Sequence, residues 1–132
     1  MTHEVVNAPG LAEPVGFAHA VVAGPGRTVY LGGQTAQGPD GAIVGETLVE
    51  QFEVAAGNVA AALAAAGSAP DQLVSMVIYT TSVAEYRASL KELGAVWRKH
   101  FGRHFPAVAL LGVAALFDDA AKVELVGTAV IP

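Results

Sequence analysis

Glu124 is the residue of this chain best placed to do chemistry. It falls inside Lys122-Val123-Glu124-Leu125-Val126, a stretch with the two-residue alternation of a strand. A carboxyl group among apolar neighbours is partly desolvated and can give or take a proton near neutrality. On an exposed strand the same side chain would instead pair with a basic residue, within the sheet or across a subunit boundary. The sequence leaves both readings open.

The other polar candidates read as structural. His100 and His104 are four apart, the spacing that puts two imidazoles on one helical face, but Gly102 between them ends the helix, so no metal pair is expected. His3 and His19 are isolated and read as surface or interface residues. Asp118-Asp119 falls in a turn, where aspartate bonds the local backbone. Leu31-Gly32-Gly33-Gln34 suits close backbone packing at a sheet edge or the close approach of a ligand. There is no phosphate loop, no His-Glu-x-x-His, no Gly-x-Ser-x-Gly and no dinucleotide glycine fingerprint. The absence of cysteine removes thiolate chemistry and fits a cytoplasmic location.

The elements that must position these residues follow from periodicity. Thr47-Leu48-Val49-Glu50 is a capping box, and Leu48, Phe52, Ala55, Val59 and Leu63 form the apolar face of a helix stopped by Gly67 and Pro70. Ser82-Val83-Ala84-Glu85 repeats the pattern, and Val83, Tyr86, Leu90, Leu93, Trp97 and Phe101 make a second stripe ending at Gly102. Between them, Leu73 to Thr80 reads as a central strand covered on both faces. Further strands are expected at Ala20 to Ala23 and Arg27 to Leu31 around Gly24-Pro25-Gly26, and at Gln34 to Gln37 and Ala42 to Val44 around Gly38-Pro39-Asp40-Gly41. Others are expected at Ala107 to Leu116 and Lys122 to Ile131. Right-handed crossovers put both helices on one face of a mixed sheet. In the last strand Val123, Leu125, Gly127, Ala129 and Ile131 face one side and Lys122, Glu124, Val126, Thr128 and Val130 the other. No second helical layer exists to cover that other side.

Composition points to how it is covered. The chain has 132 residues, enough for one domain, and 53% of them are apolar against 14% charged. A chain of this length buries only about two thirds of its unfolded surface, so much apolar material implies a homo-oligomer whose bare sheet faces pack together and leave clefts between subunits. The net charge of -5, with seven basic residues against twelve acidic ones, argues against nucleic acid as a partner. The first residues, Met1 to Asn7, lack a signal-peptide pattern, and the longest apolar run, Phe105 to Phe117, is too short for a membrane helix. A soluble protein that is not exported is expected.

Taken in order and spacing, Val15-Gly16-Phe17, Tyr30-Leu31-Gly32-Gly33-Gln34, Asn58, Phe105-Pro106-Ala107 and Lys122-Val123-Glu124-Leu125 resemble the RidA (YjgF/YER057c/UK114) family over nearly the whole chain. The resemblance implies one chorismate-mutase-like α+β domain over residues 1–132, with a six-stranded mixed sheet, two helices on one face and a cytoplasmic homotrimer closed as a barrel. It also implies hydrolysis of 2-imino and enamino acids to 2-oxo acids and ammonia, without metal or organic cofactor. In deaminating members an arginine follows the Pro-Ala pair and grips the substrate carboxylate; here that position is Val108. A charge-assisted hydrogen bond is worth about 1.5–3 kcal/mol, so the usual anionic substrate is expected to bind orders of magnitude more weakly. Phe17 stands where the family has a cleft tyrosine and Gly32 where it has a serine, while Glu124 matches the glutamate proposed to position or activate water. By this resemblance Glu124 is the catalytic residue, and Phe17, Leu31, Gly32, Val108 and Leu110 line an apolar cleft between subunits, suited to a neutral or aromatic small molecule. Arg103 and His104, just upstream, are the candidates to replace the missing cation. The alternative is a non-catalytic trimer that binds a metabolite or a partner protein. The family's older label, endoribonuclease, finds no support in the acidic charge.

Overall fold

Strong local signals set the helices. In the computed structural model, which describes residues 2–132, Thr47 caps α1 (Leu48–Ala65) with both halves of the capping box formed. The Glu50 N–H donates to Thr47 Oγ1 at 3.1 Å and the Thr47 N–H to Glu50 Oε1 at 3.0 Å. That backbone bond, with the Thr47 hydroxyl, holds the Glu50 carboxyl below its ordinary range. The helix closes with Ser68 N–H bonding Leu63 O at 2.8 Å and Gly67 N–H bonding Ala64 O at 3.0 Å, which needs the left-handed φ of 79° that Gly67 supplies. Leu48, Phe52, Ala55, Val59 and Leu63 are all buried, as the periodicity predicts. Met1, the first residue of the stretch read for a leader signature, lies outside the described residues.

The second helical stretch is divided. It forms α2 (Val83–Ala88) and α3 (Leu90–Phe101), hinged at Ser89, whose φ of -117° and ψ of 18° leave the helical region. The stripe therefore breaks: Leu93, Trp97 and Phe101 are buried, but Leu90, at the start of α3, is exposed. Trp97 meets Phe101 edge-on and stacks on Phe105 at a centroid distance of 5.7 Å, and its indole N–H donates to His104 O at 3.0 Å.

The expected six-stranded sheet is instead four strands plus a separate ribbon. Three strands precede α1: β1 (Glu4–Val6), β2 (Ala20–Val22) and β3 (Arg27–Tyr30); β4 (Leu73–Thr80), β5 (Ala107–Gly112) and β6 (Val123–Ile131) follow it. The main sheet runs β3-β6-β4-β5, with β4 and β5 parallel and β6 antiparallel to both of its neighbours; β1 and β2 pair only with each other. The two segments around Gly24-Pro25-Gly26 are thus not a hairpin. Gly26 passes so close to the end of β6 that a Cβ on it would lie 2.0 Å from Ile131 O, and His3 takes the Gly24 N–H, so the chain leaves one sheet and enters the other. Residues 34–37 and 42–44 do make a short antiparallel connection, one bridge from Gln37 to Ile43 with the Val44 N–H on Ala36 O and the Gly38 N–H on Ala42 O, both at 2.8 Å, while the Asn58 amide holds the outward carbonyls Thr35 O and Gln37 O at 3.0 and 2.9 Å. The strand expected to reach Leu116 ends at Gly112, just before the Val113 N–H turns to Thr80 O.

The helices cover one face. Val123, Leu125 and Ala129 of β6 join Leu73, Met76 and Ile78 of β4, α1 and α3 in a single core, while Glu124, Val126 and Thr128 on the opposite face are only partly buried. Among the described residues no helix is long and apolar enough to cross a membrane.

Candidate functional site

Glu124 stands on the helix-free face, in register with Tyr79 of β4, which in turn pairs with Leu111 of β5. Its position is set from two directions. From the helical side, the buried Gln51 amide donates to Gly45 O at 3.1 Å and Ala120 O at 2.9 Å, and its oxygen accepts from the Lys122 N–H at 2.7 Å. The turn before β6 is thereby clamped two residues ahead of Glu124. Asp118 completes that turn by accepting from the Ala120 N–H at 2.9 Å.

From the side of β3, the chain bulges around the carboxylate. Tyr30 pairs with Thr128 but Gln34 pairs with Leu125, so Leu31 to Gly33 carry one residue more than the strand opposite. The bulge brings Gly33 against Glu124, where a Cβ would lie 2.1 Å from Oε2; at Gly32 a Cβ would meet nothing within 4 Å. The two glycines that looked alike in the sequence are therefore different, one in contact with the acid and the other open. The ion pairs among the described residues use Glu53 and Glu85, and Glu124 takes part in none of them.

Other candidate residues lie elsewhere in the protomer. Phe17 and Val108 line one depression of about 390 Å³ together with Leu11 and His19. Val108 and Leu110 pack against the core from the helical side of β5, and Leu31 packs against the core near Gly127. In the sheet order β4 separates Val108 from Glu124 by about 10 Å across the strands, and the two stand three register positions apart along them, about another 10 Å. One protomer thus unites Glu124 with Gly33 and Tyr79, and Phe17 with Val108, without uniting the two groups. His104 is buried, and its Nε2 lies 2.7 Å from Leu73 O, so it ties α3 to β4; Arg103 is exposed. Among the described residues no group of three metal-ligating side chains converges.

Glu85 was legible only in half. The Ser82 hydroxyl accepts from the Glu85 N–H at 3.2 Å, as a capping pattern predicts, but the carboxylate turns away. It accepts from the Leu48 N–H at 2.8 Å and from Lys122 Nζ at 2.9 Å, joining the start of α1 to the start of β6. These bonds, the Leu48 amide first, hold its carboxyl below the ordinary range. The signal for Gln51 was in the sequence: position 51 lies on the buried stripe between Leu48 and Phe52, where an amide needs partners.

Comparison with known proteins fits this geometry. The chain is 29% identical over 106 residues to the mitochondrial protein MMF1 of Saccharomyces cerevisiae, covering 80% of this chain and 70% of that one. It superposes on the Rid-family protein YyfB of Yersinia pestis with a TM-score of 0.90 at 28% identity, over 99% of this chain and 100% of that one. A YjgF/YER057c/UK114 member from Mycobacterium tuberculosis gives a TM-score of 0.65 at 26% identity, over 98% of this chain and 99% of that one. The sequence profile of the family described as Endoribonuclease L-PSP matches residues 8–131. With a family profile matching nearly all of its residues and a fold that superposes on solved members over almost its full length, this chain belongs to the Endoribonuclease L-PSP family, the RidA or YjgF/YER057c/UK114 proteins.

Proposed function

We propose that the protein is a RidA-like hydrolase working without metal or organic cofactor, in clefts formed where copies of its helix-free sheet face meet in a cytoplasmic homotrimer. One observation carries the reading: the Glu124 carboxylate is held beside Gly33 on that face, with no ion-pair partner among the described residues. A carboxylate so placed can orient a water and take its proton. The water oxygen bonds to the carbon of an imine as the C=N π pair moves to nitrogen. The proton passes from Glu124 to that nitrogen to give a neutral carbinolamine; the carboxylate then takes the hydroxyl proton and returns it to the amine nitrogen as the C–N bond breaks, which releases ammonia and leaves a carbonyl.

The partners are the subunits themselves and a small molecule. In this reading the bulge at Leu31 and Gly32 beside Glu124 of one copy faces the β5 edge of the next, where Phe17 and Val108 line a depression backed by Leu110, and the cleft favours a neutral or aromatic substrate because no guanidinium stands at position 108. Ammonia release from imines generated in situ, coupled to sedimentation, tests this. Glu124→Gln is expected to abolish turnover and keep the trimer, and 2-iminobutanoate and 2-iminopropanoate are expected to react slowly. Full turnover in Glu124→Gln, or a monomer at micromolar concentration, overturns the proposal. Val108 also favours a second reading, a trimer that binds without catalysis; that reading predicts no ammonia release from any imine by the wild type.

A further inference from the structure

Charge is unevenly distributed along the chain. Residues 87–103 hold five of its seven Lys and Arg against one acid, Glu92, while the remaining residues hold two basic side chains against eleven acidic ones. Arg87, Lys91 and Arg98 are exposed and outside the ion pairs among the described residues, whose cations are Lys99, His100 and Lys122. On α3, Lys91 and Arg98 are seven residues apart, which is two turns, or about 10 Å along one side of the helix. The Arg98 guanidinium lies back toward Lys91 over Gly94, its Nη1 3.7 Å from where a Cβ on Gly94 would be. Glu92 shares a different side with Lys99, the side on which Lys99 meets Glu53 of α1. Leu90, 59% exposed, flanks Lys91 at the start of the helix, and Arg87 adds a third charge in the last turn of α2. Leu93 and Trp97 fill the opposite, buried side of α3, so this strip belongs to the outer surface of the helical layer.

A basic strip one helix wide, on a chain that is otherwise strongly acidic, selects the shape of an anionic partner as well as its sign. A membrane surface or a nucleic acid duplex is broad, and would bring the acidic remainder of the chain against its own negative charge. A single polypeptide segment can follow the strip alone. In a polyproline-type extended segment the side chains repeat every three residues, about 9 Å, close to the rise from Lys91 to Arg98. Gly94 and Ala95 between them are small and let such a segment lie close. We infer that the outer face of α3 docks an extended acidic segment of a partner protein, with carboxylates three residues apart on Lys91 and Arg98 and an apolar side chain against Leu90. The surface lies on the helical layer and uses neither Glu124 nor the clefts proposed between subunits.

Fluorescence anisotropy on the full chain with a labelled peptide, Leu-Glu-Pro-Pro-Glu-Pro-Pro-Glu, and its counterpart with glutamine for glutamate tests the assignment. The acidic peptide is expected to bind about tenfold more tightly at low salt, and the difference to shrink as salt rises. Lys91→Gln and Arg98→Gln are each expected to lose about two- to fivefold for the acidic peptide, and about tenfold together. Leu90→Ser is expected to weaken both peptides alike. Arg27→Gln, which removes the same charge from an exposed position on β3, is expected to behave as wild type. Thermal midpoints within a few degrees of wild type show that the variants fold. Equal affinity for the two peptides, full affinity in the Lys91→Gln and Arg98→Gln double variant, or no binding of either peptide overturns the inference. Tighter binding to phosphatidylserine vesicles or to a single-stranded oligonucleotide than to the acidic peptide also overturns it. Peptide binding is read without turnover, so failure of the hydrolase reading leaves this result standing.

Discussion

The two faces of the sheet are made by alternate residues of the same strands, yet they have opposite characters. On the helical face Val123, Leu125, Ile78 and Leu73 are closed under α1 and α3 with almost no exposed surface. On the other, Glu124, Tyr79, Val126 and Val77 remain partly open, and Leu111 and Tyr30 are exposed. The covered face carries the fold's stability. The open face can keep a carboxylate, a glycine bulge and apolar surface because the protomer does not need it closed, which makes it the place where function and assembly can be built.

That contrast can be broken most severely from the covered side. Phe52 is fully buried at the centre of α1, so Phe52→Ala is expected to cost about 3–5 kcal/mol in urea unfolding. A cost under about 1 kcal/mol would mean that the helical face is not the core that holds the protein together.

The junction between the two faces is expected to give an intermediate effect. Glu85→Gln weakens the bonds to the Leu48 N–H and Lys122 and is expected to cost about 1 kcal/mol at pH 7, since the pair is partly exposed. The Glu85 carboxyl titrates lower in the folded chain than in the unfolded one, so its contribution is present above the ordinary carboxylate range. It is lost as pH falls through the lowered value, and the gap between variant and wild type should close there. A gap that persists unchanged into acid would show that the charge is not what Glu85 contributes.

The smallest effect on stability is expected at the open face. Gly33→Ala places a methyl where the Glu124 carboxylate now sits, but the carboxylate ends a flexible side chain that can move aside. Stability should change by less than about 1 kcal/mol while ammonia release falls at least tenfold. Loss of both together would make Gly33 a folding residue; retention of both would detach Glu124 from the chemistry.

Much of the architecture was legible because its signals are local. Thr47 with Glu50, and Gly67 past the end of α1, bound that helix from residues next to one another in the chain, and the β-branched run from Leu73 to Thr80 marked the central strand. The divided second helix escaped because Ser89 carries no breaker signal, and the loss of the hairpin around Gly24-Pro25-Gly26 escaped because His3 and Ile131 act on it from distant positions. Glu124 could be singled out as an acid in an apolar strand. That Gly33 and not Gly32 touches it depends on a one-residue bulge against β6, which no local pattern announces.

By itself the sequence determined the bounds of α1, the strand alternation and the excess of apolar surface, since caps, periodicity and composition act within a few residues of one another. Only the tertiary structure decided which carbonyls Gln51 and Asn58 hold, where the Glu85 carboxylate turns, and that Arg103 lines a concavity while its neighbour His104 is buried. Those outcomes join residues tens of positions apart, and which groups meet across such distances is settled by packing and hydrogen-bond satisfaction in the folded chain rather than by local preference.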